Sequence, residues 1–317
     1  MNKIAILTRD CAGINAAIRA AVRTAAADGI EVLGVLRGYE GLIDGDFIRL
    51  DHRSVSSIIN LGGTILKTAR SERFHQAEYQ ERAVKNIHDA GIEGLLVIGG
   101  NGTLTGAHIL ASGYGIATVG IPATIDNDVN GVEATIGADT CVNVALDALD
   151  KIRDTATSLE RIFVVEVMGR NCGHIAMQVA LAGGCEEVLL PERDIDIESM
   201  CRDIKAGYVR GKVSWIVITA EGRARAQDVA AAVSLGTGLE TRIAVLGHIQ
   251  RGGRPTAIDR ILAARLAHAA FEALVEGKSD VCVHIRNGNL AFLPLEDAVR
   301  PKACDVSGDY HLLKVLA

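Results

Sequence analysis

A chain of 317 residues, 49% hydrophobic and 23% charged, carries enough apolar material for two domains with buried cores, which excludes disorder. A net charge of -6 removes any whole-surface attraction to nucleic acid or an anionic membrane. The seven cysteines, Cys11, Cys141, Cys172, Cys185, Cys201, Cys282 and Cys304, are scattered with no C-x-x-C pair. They read as reduced thiols of a cytosolic protein rather than a disulfide framework or a zinc site.

In chain order, "MNKIAILTRD" has an apolar run too short for an export signal before Arg9 interrupts it, so a cytoplasmic location is expected. The runs "KIAIL", "EVLGVL", "GLLVIGG", "ATVGIP", "RIFVVEVM", "EEVLLP", "SWIVITAEG" and "RIAVLGH" read as strands. Strands this continuously apolar are buried on both faces, which implies mostly parallel sheets covered by helices. The uncharged stretch 102–125 is broken by Gly106, Gly113, Gly115, Gly120 and Pro122, and suits a buried helix and strand better than a membrane span. A helical stripe is formed by Val142, Ala145, Leu146, Leu149 and Ile152, with Asp147 and Asp150 turned outward. Another starts at Pro255, places Ile258, Ile261, Leu262, Leu266 and Ala269 on one face, and ends at Gly277. No repeat or low-complexity linker divides the chain. The expected fold is α/β: two Rossmann-like lobes, 1–137 with 252–303 and 138–251 with 304–317.

Loops at the carboxyl ends of parallel strands line ligand crevices. In "TIDND", Asp126 can accept a proton from a hydroxyl while Asp128 helps hold Mg²⁺; both also suit turn and capping roles. Arg170 in "MGRNCG" either neutralises charge on a transferring phosphoryl group or is a solvated turn residue. Arg161, Arg242, His248, Arg251 and Glu221 gather cationic and hydrogen-bonding groups suited to a sugar phosphate. "VIGGNGT" suits a donor's phosphates, or is a tight helix-start turn with Thr103 as the N-cap of the helix that follows.

Together "IAILT", "GINAAIR", "GGNGT", "GIPATIDND", "RIFVVEVMGRNCG", "LAGGCEEVLLPE" and "VLGHIQRGGRPTAIDRILAARLA" resemble the phosphofructokinase family over almost the whole chain, and within it the short bacterial ATP-dependent members. The resemblance implies the phosphofructokinase fold and transfer of the γ-phosphoryl of ATP to the 1-hydroxyl of fructose 6-phosphate. It implies Asp126 as base, with Thr124 and Arg170 flanking the transferring group and Asp128 and Asn101 near Mg²⁺. It places Arg161, Met168, Gly169, Glu221, Arg242, His248 and Arg251 on fructose 6-phosphate, with Arg161 and Arg242 reaching in from a neighbouring subunit of a homotetramer. Tyr39, Arg70, Gly102, Thr103 and Gly106 would line the nucleotide site. Arg19, Arg23, Arg53, Arg153, Glu186, Arg210 and Lys212 match positions for an ADP or phosphoenolpyruvate effector. Pyrophosphate users tend to carry Asp and Lys where Gly102 and Ala123 stand here, which resembles the ATP side.

Two departures bear on the donor. Asn101 replaces the aspartate of "GGDG"; at about 4 Å and an effective dielectric of about 20, the lost charge forfeits up to about 4 kcal/mol of attraction to a metal. The first loop, "TRDCAGIN", is two residues shorter than the family's T-S-G-G-D-x-x-G-x-N and sets Arg9 in place of a glycine pair. These departures leave open two alternatives: a non-catalytic sugar-phosphate-binding paralogue or regulatory subunit, and a pyrophosphate-dependent enzyme.

Overall fold

The computed structural model describes residues 1–194 and 196–317. The strands are β1 (Lys3–Thr8), β2 (Glu31–Val35), β3 (Phe47–Leu50), β4 (Gly94–Gly99), β5 (Thr118–Pro122), β6 (Ile162–Val167), β7 (Glu187–Leu189), β8 (Trp215–Ala220), β9 (Thr241–Val245), β10 (Val281–Arg286) and β11 (Asn289–Pro294). They form a seven-stranded sheet, β11-β10-β5-β4-β1-β2-β3, and a four-stranded sheet, β7-β8-β6-β9. Pairing is parallel throughout the smaller sheet, and in the larger one except at β3 and β11, which lie antiparallel at its two edges. The chain divides into two compact units, Met1–Thr140 with Arg251–Lys302, and Cys141–Gln250 with Ala303–Ala317. No helix among the described residues is long and apolar enough to cross a membrane.

In the first unit, successive strand residues point to opposite faces, and both sets are apolar. Ala5, Leu7, Leu95 and Val97 join one buried cluster with Leu42, Ile87, Leu104 and Leu110. Their neighbours Ile4, Ile6, Leu96 and Ile98 are equally buried. Helix Ala257–Val275 packs on β4, β5 and β10, and against helix Ile14–Ala27. The helical stripe read from Pro255 is corrected at two of its five positions. Leu262, Leu266 and Ala269 are buried, but Ile258 and Ile261 are about three-fifths exposed, because the buried face is centred on Ala263, Leu266, Ala267 and Ala270 and leaves these two on its flank. In the second unit, Ile162, Val164, Trp215, Val217 and Leu189 pack beneath Met200, Ile204, Val229 and Val233.

One buried carboxylate ties two helix starts of the first unit together. Asp259 accepts from Gly137 N at 2.9 Å and Thr140 N at 2.8 Å, and also from the Thr140 hydroxyl. Burial pushes its pKa above the ordinary 3.8, with the three donors opposing that shift. Asp259→Ala strands three donors and is expected to destabilise the protein by about 3 kcal/mol, measured by denaturant unfolding. The folded pKa is raised, so the native state holds this proton where the unfolded chain has already lost it. The stability from this proton is therefore full below about pH 4 and is lost as pH rises through the folded value. The advantage of wild type over Asp259→Asn is expected to shrink across that interval.

Candidate active site

In the first unit, β4 runs into helix Asn101–His108 through Gly100, which makes no side-chain cap. The first-turn N–H groups gain no side-chain acceptor there, the arrangement of an anion-binding helix end. A Cβ at Gly102 would meet nothing within 4 Å, so the backbone is open to close approach. Thr103 is not the N-cap expected from the sequence. Gly100 is extended (φ -90°, ψ -167°), so the helix starts earlier and leaves Thr103 buried inside its first turn. The Thr103 carbonyl accepts from Tyr39 Oη at 2.6 Å. Tyr39 stacks on Phe74 with ring centroids 4.1 Å apart, and a Cβ on Gly106 would stand 2.4 Å from its ring. Packing therefore accounts for Tyr39 and Gly106, and burial pushes the Tyr39 phenol well above its usual range. Arg70 is exposed.

The acid loop follows β5 and touches the glycine turn, since a Cβ on Gly100 would lie 3.1 Å from Thr124 Cβ. Thr124 Oγ1 accepts from Asp126 N at 3.2 Å, and Asp126 is 3% exposed. Asn127 takes the left-handed conformation (φ 49°), which asparagine tolerates because its amide bonds locally. Its Oδ1 accepts from Thr135 N at 3.0 Å and its Nδ2 donates to the Glu133 carbonyl at 3.1 Å. Lys302 Nζ donates to the carbonyls of Asn127 (2.8 Å) and Val132 (2.9 Å). Asn101 Nδ2 donates to Asp128 Oδ2 at 2.9 Å and to its carbonyl at 3.2 Å. Asn101 Oδ1 is buried and has no hydrogen-bond partner among the described residues. An unpartnered buried amide oxygen, on a side chain whose Nδ2 holds a carboxylate, offers the kind of oxygen ligands a hard divalent cation takes.

The shortened first loop is also anchored within this unit. Arg9 Nη1 donates to the Ala69 carbonyl at 2.9 Å and to Thr68 Oγ1 at 3.3 Å, one residue before Arg70. Asn15 Nδ2 donates to the Leu61 and Gly62 carbonyls, and its Oδ1 accepts from Ile65 N at 2.8 Å.

In the second unit, the loops after β6 and β8 interlock. Arg170 N donates to Glu221 Oε1 at 3.1 Å and Glu221 N to the Val167 carbonyl at 2.9 Å. A Cβ on Gly222 would stand 1.6 Å from the Arg170 carbonyl oxygen, so no other residue fits there without the loop moving. Met168 is buried and Gly169 precedes Arg170, itself left-handed at φ 51°. His248 is exposed on the short helix Gly247–Arg251 after β9. Gln250 there is 1% exposed, accepts from Met168 N at 3.4 Å and donates to the Gly247 carbonyl at 3.1 Å.

The expected gathering of arginines at strand ends is corrected for two of them. Arg161 precedes β6 and Arg242 is the second residue of β9, and these strands run parallel. Both arginines pair with Glu240, Arg161 Nε at 2.8 Å. They sit at the amino ends, about 20 Å along the strands from Met168 and His248 at the carboxyl ends.

The effector candidates also fall into separate sets. Arg19 and Arg23 are half-buried on helix Ile14–Ala27, and Arg53 is exposed in a turn capped by Asp51. In the second unit, Glu186 bonds Lys212 at 3.1 Å and Ile216 N at 2.7 Å, Arg153 donates to the Gly183 and Gly184 carbonyls, and Arg210 is exposed.

Asn127, Lys302, Asp259 and Gln250 support these loops but were absent from the sequence reading. Asn127, Gln250 and Asp259 lie inside quoted motifs, but the bonds of Lys302 and Asp259 reach across 175 and 122 residues, and nothing local in the sequence signals them.

The model of the family described as phosphofructokinase matches residues 3–274. An ATP-dependent 6-phosphofructokinase of Clostridium botulinum is 49% identical over 301 residues, covering 94% of this chain and 94% of that protein. One of Thermotoga neapolitana is 48% identical over 304 residues, covering 95% of each. A phosphofructokinase structure from Saccharomyces cerevisiae superposes with a TM-score of 0.88 at 34% identity, covering 95% of this chain and 45% of that one. With its sheets, its acid loop and these likenesses taken together, the chain belongs to the phosphofructokinase family.

Proposed function

We propose that this chain is an ATP-dependent 6-phosphofructokinase that transfers the γ-phosphoryl group to the 1-hydroxyl of fructose 6-phosphate. The observation that carries the reading is the acid loop: it buries Asp126, and its Thr124 lies against the glycine turn that opens helix Asn101–His108, a helix start suited to an anion. Curated relatives named ATP-dependent 6-phosphofructokinase, 49% identical over 94% of this chain, support it.

In this reading Asp126 accepts the proton of the sugar 1-hydroxyl as that oxygen bonds to the γ-phosphorus, while the bond to the β–γ bridging oxygen breaks and ADP leaves. The Asn127, Thr135 and Lys302 bonds keep the carboxylate from swinging away, which is worth most when both reactants are already held. Thr124 orients the same loop and Arg170 neutralises charge on the transferring group. Gly102, Thr103 and Arg70 belong to the nucleotide side, with Tyr39 bonded to Thr103 and packed on Gly106 in support; Met168, Gly169, Glu221, His248 and Arg251 belong to the sugar phosphate. An ATP-dependent kinase of this family uses a divalent metal. We assign it as Mg²⁺ held by Asp128 and Asn101, supplying charge neutralisation on the phosphate oxygens.

Arg161 and Arg242 at the amino ends of their strands suit a site on a second copy. Ile243 and Val245, each about half exposed on edge strand β9, suit burial against one. The assembly proposed is a homotetramer, with the Arg19–Arg23–Arg53 and Arg153–Glu186–Arg210–Lys212 sets taking ADP or phosphoenolpyruvate. Light scattering coupled to gel filtration is expected to give four chains per particle, and a monomer would sink that arrangement.

With Mg²⁺, fructose 6-phosphate and a panel of donors, ATP is expected to yield fructose 1,6-bisphosphate and pyrophosphate to yield little; absence of turnover with every donor refutes the assignment. Asp126→Asn is expected to lower kcat by about 10²–10⁴-fold with fructose 6-phosphate binding retained. Asn101→Asp adds a charge beside the metal, so the Mg²⁺ concentration for half-maximal rate should fall at least about tenfold. An unchanged Mg²⁺ requirement would remove Asn101 from the metal's surroundings.

A further inference from the structure

We propose that Cys172, Cys304 and Glu192 form a site for a thiophilic divalent cation of the zinc class, separate from the Mg²⁺ site and independent of the reading above. One ligand atom from each residue lies within 4.8 Å of the other two. The Cys172 and Cys304 sulfurs are 3.0 Å apart. Glu192 Oε1 accepts from Gly173 N at 2.7 Å, whereas Glu192 Oε2 is buried with no hydrogen-bond partner among the described residues. A carboxylate oxygen enclosed beside two thiols is costly unless a cation meets it.

The donor set decides the class of ion. Two sulfurs and one carboxylate oxygen are a soft, three-ligand set that selects zinc-like metals over Mg²⁺ or Ca²⁺ and leaves a fourth tetrahedral position for water. Tetrahedral zinc with Zn–S near 2.3 Å sets the sulfurs about 3.8 Å apart. Cys304 therefore moves by less than about 1 Å, within an irregular segment where it is half-exposed and gives the ion an entry path. Binding sends two thiol protons to solvent and forms two metal–sulfur bonds and one metal–oxygen bond; no electron moves. A disulfide between the same cysteines would need an external oxidant and would leave Glu192 Oε2 stranded, whereas the cation engages all three groups. Bound there, it staples the loop carrying Met168 and Arg170 to the turn after β7 and to the C-terminal segment.

The test uses the full chain, reduced with a phosphine, stripped with a chelator and titrated with Zn²⁺ against a chromophoric competitor. One ion per chain is expected, with sulfur scattering near 2.3 Å in X-ray absorption. Cys304→Ser is expected to weaken binding by about 100-fold or more and Glu192→Gln by at least about tenfold, while Cys201→Ser changes nothing. Co²⁺ in place of Zn²⁺ should give a thiolate-to-cobalt absorption band that Cys304→Ser removes. Circular dichroism checks that each variant is folded. Failure of the reduced chain to bind one ion, or equal affinity in wild type and Cys304→Ser, overturns the proposal. A Cys172–Cys304 disulfide as the sole state distinguishing that pair in the chain, with no zinc binding after reduction, does the same.

Discussion

The Asp259 carboxylate is the constraint on which the first unit's chemistry depends. It bonds Gly137 N and Thr140 at the opening of helix Ala138–Leu159, and it sits in the first turn of helix Ala257–Val275. A carboxylate there meets the positive ends of two helix dipoles, which offsets part of the cost of burying it. Gly137 is left-handed (φ 100°), and a Cβ on it would stand 2.8 Å from Cys11 Sγ, so the first loop packs against the same junction. The far end of the acid loop is thereby fixed. Its near end is fixed by the Ala123–Ile136 bridge and by Thr135 Oγ1 donating to the Thr124 carbonyl at 2.7 Å. A short loop pinned at both ends, with a lysine bonded to two carbonyls in its middle, has little freedom left for Asp126.

The second unit reaches similar rigidity by a different route. There the loops after adjacent parallel strands bind one another through Glu221 and through the contact that excludes a side chain at Gly222. Gln250 adds a third loop by accepting from Met168 N. Because β6, β8 and β9 are parallel, Met168, Glu221 and His248 emerge at one edge of the sheet, and strand direction fixes that arrangement. The same rule sends Arg161 and Arg242 to the opposite edge, where Glu240 neutralises part of their charge.

All eight apolar runs read from the sequence are strands; seven are largely buried, as parallel strands covered on both faces should be, whereas β9, at a sheet edge, keeps its apolar run but has no fully buried residue, against the expectation of burial on both faces. The three strands not read are antiparallel edges or their neighbours, where that signature fails. β3 is only four residues with one buried, and β11 alternates exposed and half-buried positions. The β10–β11 hairpin did carry a local signal: Asn287-Gly288 takes positive φ at both positions, the turn chemistry such a dipeptide favours. At the site, the motif residues were legible because each follows a strand, but the supports Lys302 and Asp259 come from remote segments that only the fold brings near. Ile258 and Ile261 misled for the converse reason: a helical stripe records that a face is apolar, and not which surface covers it.

The replacement of the expected aspartate by Asn101 exchanges charge for fixed geometry. Two carboxylates about 3 Å apart repel by about 5 kcal/mol at an effective dielectric of about 20, so an acid at 101 would push Asp128 away until a cation arrived. The amide donates to Asp128 instead and holds its oxygen in place, while its own buried oxygen keeps a lone pair unspent. Less charge must then be neutralised, and less motion is needed to neutralise it. Arg9 follows the same logic in the contracted first loop. Its guanidinium is bonded to the 68–69 backbone and side chain, so the loop is braced by a cation where glycines would have left mobile amides. The donor side of this chain thus has Asn101 holding Asp128 and Arg9 holding the 68–69 segment, so part of its order is set before any ligand binds.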